Sequence, residues 1–120
     1  MRPDASRYKP FAISVDDGPD EVVLALTGEL DIESAGTLEQ AVAQVRAADY
    51  AEVVLDLRQV EFIDSTGLRV LLSLRNDAKR TAYGLWLVPP APPVRRIFEI
   101  TGTRGLFEWR ADRPARAAQR

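Results

Sequence analysis

Asp64, Ser65, Thr66 and Gly67 stand together where a strand-like apolar pair, Phe62-Ile63, gives way to an apolar-periodic helical run from Leu68. An acidic residue, two hydroxyls and a glycine at such a junction have a definite chemistry open to them. The first turn of a helix leaves backbone N–H groups unpaired and carries a partial positive charge. A hydroxyl there is either a cap for those groups or an exposed acceptor of a phosphoryl group, and a phosphate added there is electrostatically tolerated. From this segment alone both readings of Ser65 stand.

The residue types that are missing narrow the chemistry. The chain contains no His and no Cys. A Ser/His/Asp or Cys/His nucleophilic site is therefore impossible, as is a zinc site built on thiolate or imidazole. A disulfide scaffold is excluded as well. No GxxxxGK[ST] phosphate loop occurs in the sequence. Two carboxylates, Asp31 and Asp64, could hold a divalent ion in a phosphatase-like arrangement, but no further acid or base accompanies them, and the reading is not an enzyme.

The formal net charge is −2 over 120 residues, so no global electrostatic case for nucleic acid follows. The end of the chain, Arg110 to Arg120, is locally basic and poor in large apolar residues, which reads as a solvated, flexible tail. The longest apolar runs, such as Val53-Val54-Leu55 and Val70-Leu71-Leu72, are far short of the ~20 residues that a membrane span requires. The first residues, Met1 to Arg7, lack the apolar core of a signal peptide. The expected location is the cytoplasm.

The elements that must position Ser65 follow from periodicity. Phe11 to Val15 alternates and reads as a strand, Asp16 to Asp20 as a turn, and Val22 to Thr27 as a second strand, so a hairpin opens the chain. Gly28-Glu29-Leu30-Asp31 leaves that strand toward a helix over 35–49, with Leu38, Ala41, Val42, Val45 and Ala48 on one face and Ser34 as its N-cap. Val53 to Leu57 is short and almost continuously apolar, as in a strand buried on both faces. The next helix runs from about Thr66 to Arg80, with Gly67, Val70, Leu71, Leu74 and Ala78 inward and Arg69, Ser73, Asn76 and Arg80 outward. Tyr83 to Val88 is a further strand, stopped by Pro89 to Pro93. The last helix opens with proline, closes with Gly102, and presents Val94, Ile97, Phe98 and Thr101. Leu106 to Trp109 either closes as a short strand or packs loosely, and Trp86 and Trp109 read as packing residues. The order is β-β-α-β-α-β-α-(β), which implies crossover helices and a mainly parallel sheet.

Three segments of this order stand together: Gly28-Glu29-Leu30-Asp31, then Phe62-Ile63-Asp64-Ser65-Thr66-Gly67-Leu68, then Ile97-Phe98-Glu99-Ile100-Thr101-Gly102. In spacing and placement they resemble the STAS domain, specifically the anti-sigma factor antagonist family of bacteria. The resemblance covers residues 11–109. It leaves 1–10 as a flexible N-terminus and 110–120 as the basic tail. It implies a single α/β domain with a mixed, mainly parallel sheet, an N-terminal hairpin and crossover helices. By resemblance, the chain binds an anti-sigma factor that is itself a serine kinase, frees a sigma factor, and is released by phosphorylation. The acceptor serine of the family matches Ser65, and its motif aspartates match Asp64 and Asp31. Thr66, Gly67 and Arg69 border the implied binding surface. No cofactor is implied.

Several residues keep a plainer reading beside this one. Asp31 is either part of the surface or a local cap, Asp64 either recognises a partner or makes a turn, and Gly67 reads as a close-packing position rather than a phosphate ligand. Arg69 departs from the small residue that the family commonly has there. It lies four residues after Ser65 on the polar face, where side chains are neighbours, and would face either a phosphate on Ser65 or a partner carboxylate. A STAS module in another assembly, a stress-signalling or lipid-transport complex in which Ser65 is never phosphorylated, is the alternative function.

Overall fold

The computed structural model describes residues 10–111, and within them the chain forms one four-stranded sheet with three helices. The strands are β1 (Ala12–Asp17), β2 (Glu21–Leu30), β3 (Glu52–Ile63) and β4 (Gly84–Val88), in sheet order β1-β2-β3-β4. β1 pairs with β2 antiparallel, from Ala12 opposite Thr27 to Asp17 opposite Val22. β3 is parallel to both its neighbours. The helices are α1 (Ala35–Ala47), α2 (Ser65–Thr81) and α3 (Pro92–Ile100), followed by a 3-10 turn at Arg104–Leu106. The fold class is the expected one, a mixed, mainly parallel α/β sheet opened by a hairpin.

Alternation sorts the sheet into two faces. Leu24, Leu26 and Leu30 of β2, Val53, Leu55 and Leu57 of β3, and Leu85 and Leu87 of β4 join one core with Leu38 and Val42 of α1, Val70, Leu71 and Leu74 of α2, and Val94 and Phe98 of α3. Val23, Val54 and Val88 form a smaller cluster with the half-buried Trp86. The stretch Val53 to Leu57 is buried without interruption, as its continuous apolarity requires.

β3 is the main difference from the sequence expectation, which ended the strand at Leu57. It continues six residues further, to Ile63, beside β2 alone, because β4 leaves it after the Asp56–Val88 pair. The reason it reads poorly is two irregularities. Ala25 pairs with Asp56 but Thr27 with Gln59, and Gly28 pairs with Val60 but Glu29 with Phe62. Each shift inserts one extra residue into β3 and breaks the period of two. Gly28, at the second shift, has φ +93°, a conformation that glycine adopts without strain. Asp56 steadies the first by accepting two bonds from the Arg58 guanidinium at 3.1 Å each.

The end of the described chain packs as well. Phe98, Phe107 and Trp109 form an edge-to-face cluster with ring centroids 5.2–6.0 Å apart. Leu106 to Trp109 makes no full strand; Trp109 forms a single parallel bridge to Leu87. Arg110, assigned by sequence to the flexible tail, is instead tied in: its guanidinium lies 4.6 Å from the Trp86 ring centre and pairs with Glu21 at 2.9 Å and Glu52 at 3.4 Å. The other residues expected to be flexible, 1–9 and 112–120, lie outside the described residues, which begin at Pro10.

α2 ends at Ala82, which takes a left-handed conformation, φ +60° and ψ +45°. Glycine is the residue usually found at such a helix end, and alanine is strained there. Ala82→Gly is therefore expected to stabilise the protein by about 0.5–1 kcal/mol. Urea unfolding measures it, and a loss of stability would show that this turn is not left-handed in solution.

Candidate functional site

The site forms where β2 and β3 end side by side, with Leu30 opposite Ile63. The Asp64 N–H donates to the Leu30 carbonyl at 3.2 Å, which joins the two strand ends before either chain turns into its helix. Asp64 then acts as the N-cap of α2. Its backbone is extended, and its Oδ1 accepts the Gly67 N–H at 2.8 Å. A carboxylate here also meets the positive end of the helix.

This geometry decides one of the open readings. Ser65 is not the cap, because Asp64 is. Ser65 is the first residue of α2, and its side chain is exposed. Thr66 is half-buried and Gly67 is buried. Gly67 holds its place for packing: a Cβ there would lie 2.2 Å from the Leu30 carbonyl oxygen and 2.9 Å from the Leu30 carbonyl carbon. Arg69 is exposed, one turn after Ser65 on the polar face of α2, as the helical period places it.

Asp31 is brought to the same end of the sheet but has a different position. It is buried, 8% exposed, and its carboxylate faces its own turn. Oδ1 accepts the Glu33 N–H at 3.0 Å, the Ser34 N–H at 3.2 Å and the Ser34 hydroxyl at 3.2 Å. Ser34 stands at the N-cap position of α1 as expected, yet its hydroxyl does not cap the helix. It donates back to the Glu29 carbonyl at 2.7 Å and accepts the Asp31 N–H at 2.9 Å.

The two carboxylates are thus engaged mainly by backbone amides, and among the described residues no group of three or more acidic, His or Cys side chains could hold a metal ion. No described helix is long and apolar enough to cross a membrane. The residue that sequence reasoning missed is Ile32, whose N–H donates to Oδ2 of Asp64 at 3.3 Å and whose side chain is 73% exposed. The available signal was a lone β-branched residue between two turn formers, Asp31 and Ser34. Phe62, two residues before Asp64, is also substantially exposed.

The pattern of the STAS domain matches residues 12–114. BtrV of Bordetella bronchiseptica, offered by its name as an anti-sigma factor antagonist, is 33% identical over 97 residues, 81% of this chain and 84% of that one. The anti-sigma-B factor antagonist of Staphylococcus aureus is 28% identical over 80 residues, 67% of this chain and 74% of that one. A crystal structure of an anti-sigma factor antagonist from Mycobacterium paratuberculosis superposes with a TM-score of 0.75 at 31% identity, covering 86% of this chain and 87% of that one.

Gly67→Ala tests how closely α2 approaches β2. The added methyl group meets backbone rather than a side chain that could move aside. The substitution is expected to destabilise by about 2 kcal/mol or more, despite the better helix propensity of alanine. An unchanged urea midpoint would mean that the helix stands further off than described.

Proposed function

The chain belongs to the STAS domain family, and from that premise we propose that it is an anti-sigma factor antagonist. It binds an anti-sigma factor that is a serine kinase, frees a sigma factor by doing so, and is released when that kinase phosphorylates Ser65. The names of the relatives support the role. The observation that carries the assignment of Ser65 is its exposed place as first residue of α2, with Asp64 as the cap. Its hydroxyl is not required to hold the helix together.

The chain itself is not the catalyst in this reading. The kinase transfers the terminal phosphoryl group of ATP to Ser65 Oγ, the hydroxyl proton leaves to a base of the kinase, and ADP departs. The product sits at a helix N-terminus, where the dipole tolerates it, so the fold has no reason to change. What changes is the surface. Phosphate brings about −1.5 to −2 charges next to Asp64. Like charges across an interface cost several kcal/mol, and each ~1.4 kcal/mol is tenfold in affinity. Ser65, Thr66 and Arg69 form the contact surface, with Asp64 bordering it as the cap of α2, Gly67 setting the closeness of α2 and Asp31 shaping the neighbouring turn from within. A partner of this kind places the chain in the cytoplasm.

The reading is tested first by pull-down with the wild-type chain, with mass spectrometry of what is retained and of Ser65. It is then tested by calorimetric titration of four forms into the retained anti-sigma factor with ADP present. Ser65→Ala adds no charge and should bind like the wild type. Ser65→Glu adds one carboxylate and should bind more weakly, and the phosphoserine form, with nearly twice that charge, should bind weakest. Equal affinity for the unmodified and phosphorylated forms would refute the switch.

Arg69→Gly separates two roles for the cation. If Arg69 neutralises the phosphate, the variant should bind normally when unmodified and discriminate more sharply against the phosphorylated form. If Arg69 grips a partner carboxylate, the unmodified form should weaken by about 1–3 kcal/mol, the range for a charged hydrogen bond. Isotherms matching the wild type in both states would exclude both roles.

A further inference from the structure

Beside Ser65 the structure holds an apolar side chain in solvent on a firmly tied backbone. Ile32 is 73% exposed. Its own N–H is held by Oδ2 of Asp64 at 3.3 Å, from a different element of the fold. The next two N–H groups, of Glu33 and Ser34, are held by the buried Asp31. The Ser34 hydroxyl closes the turn onto the Glu29 carbonyl at the end of β2. Three successive amides are thus fixed by two carboxylates, and the side chain on the first of them points outward.

A lone exposed isoleucine needs no special account. The tie to Asp64 is what distinguishes Ile32. The same carboxylate caps α2 through Oδ1 and holds the Ile32 amide through Oδ2. It therefore sets the start of the helix that carries Ser65 and the loop that carries Ile32 at the same time. A specific interface covers about 800 Å² on each partner, so a protein that covers Ser65 also covers Ile32. A loop already held in place loses little freedom when it is covered, which favours binding.

We infer that Ile32 is an apolar anchor for the anti-sigma factor, and that Asp64 is a positioning residue that acts on binding through the Ile32 backbone. The inference rests on the functional reading above. The surface that receives Ile32 is an apolar pocket on the anti-sigma factor, wide enough for a β-branched aliphatic side chain and adjoining the groups that face Ser65.

A double-mutant cycle tests it, with the anti-sigma factor retained in the pull-down, purified, as the probe. Ile32→Ala should weaken binding by about tenfold or more, the loss typical of a buried anchor. Its thermal midpoint should stay at the wild-type value, because the side chain is exposed in the free protein. Asp64→Asn separates the two functions of the carboxylate. Asparagine caps helices as well as aspartate does, so its oxygen can keep the Gly67 N–H. Its NH₂ group then meets the Ile32 N–H, donor against donor, and the loop tie is lost.

Asp64→Asn should therefore speed hydrogen exchange of the Ile32 amide while the Gly67 amide stays protected. It should weaken binding in the wild-type background but change it by less than about twofold when Ile32 is already alanine. An Ile32→Ala variant that binds as tightly as the wild type overturns the anchor. An Asp64→Asn effect that is undiminished in the Ile32→Ala background overturns the positioning role and makes Asp64 a direct contact. Failure of the wild-type chain to bind would refute the functional reading itself, and this inference with it.

Discussion

Gly67 stands so close to β2 that a single added carbon would lie 2.2 Å from the Leu30 carbonyl oxygen. That carbonyl also accepts the Asp64 N–H at 3.2 Å. One backbone group is therefore the hydrogen-bond partner of the residue before α2 and the wall against which the third residue of α2 packs. The helix start cannot move away without losing the bond, and cannot move closer at all. Ser65 lies between these two fixed points. Ile32 follows Leu30 by two residues, and so the approach of Gly67 to Leu30 sets the spacing of the whole surface.

The switch proposed at Ser65 gains from such a base. The strand pair beneath it is anchored in the core from Leu30 and Ile63 down to Val22 and Val53, and the buried apolar side chains along it are 4% exposed or less. Charge added at the first turn of α2 meets the favourable end of the helix dipole. No compensating rearrangement is demanded of the core, so a change at the surface is the economical way for phosphate to act. A loop tied at consecutive amides likewise presents the same shape before and after modification. In the proposed switch, specificity then lies in what the partner meets: a hydroxyl or an anion beside a constant apolar side chain.

Much of this was legible in the residues. The hairpin, the crossover helices, the inward face of α2, the inward Leu38 and Val42 of α1 and the exposure of Arg69 all follow from periodicity and end signals, whereas Ala48, expected on the inward face of α1, is exposed just past its end. The second half of β3 was not, because Arg58-Gln59 and Glu61-Phe62 are where the two inserted residues disturb the alternation. A period of two cannot be read across a place where the strand itself departs from it. Ser34 was assigned correctly to a helix start, but its hydroxyl bonds backward to Glu29. Side-chain direction at a cap depends on which neighbouring carbonyl is within reach, and that is a tertiary fact. Ile32 was invisible for the same reason, since its one distinguishing contact comes from Asp64, 32 residues away.

Asp31 and Asp64 look alike in the sequence, each an aspartate after an apolar residue at the end of a strand. The fold gives them unequal positions. Asp31 is buried beneath its turn and can influence a partner only by shaping residues 32–34. Asp64 is half-buried at the surface, where it can be touched and where it also holds a neighbour. Loss of binding on mutating either would look alike in a pull-down while having different causes. For Asp31 the cause is a turn that loses its internal acceptor, with a cost to stability as well as affinity. For Asp64 the helix cap, the loop tie and the local charge are all changed together by alanine, so a truncation there reports no single interaction. Only substitutions that keep one oxygen in place separate these effects, because each oxygen of Asp64 serves a different element of the fold.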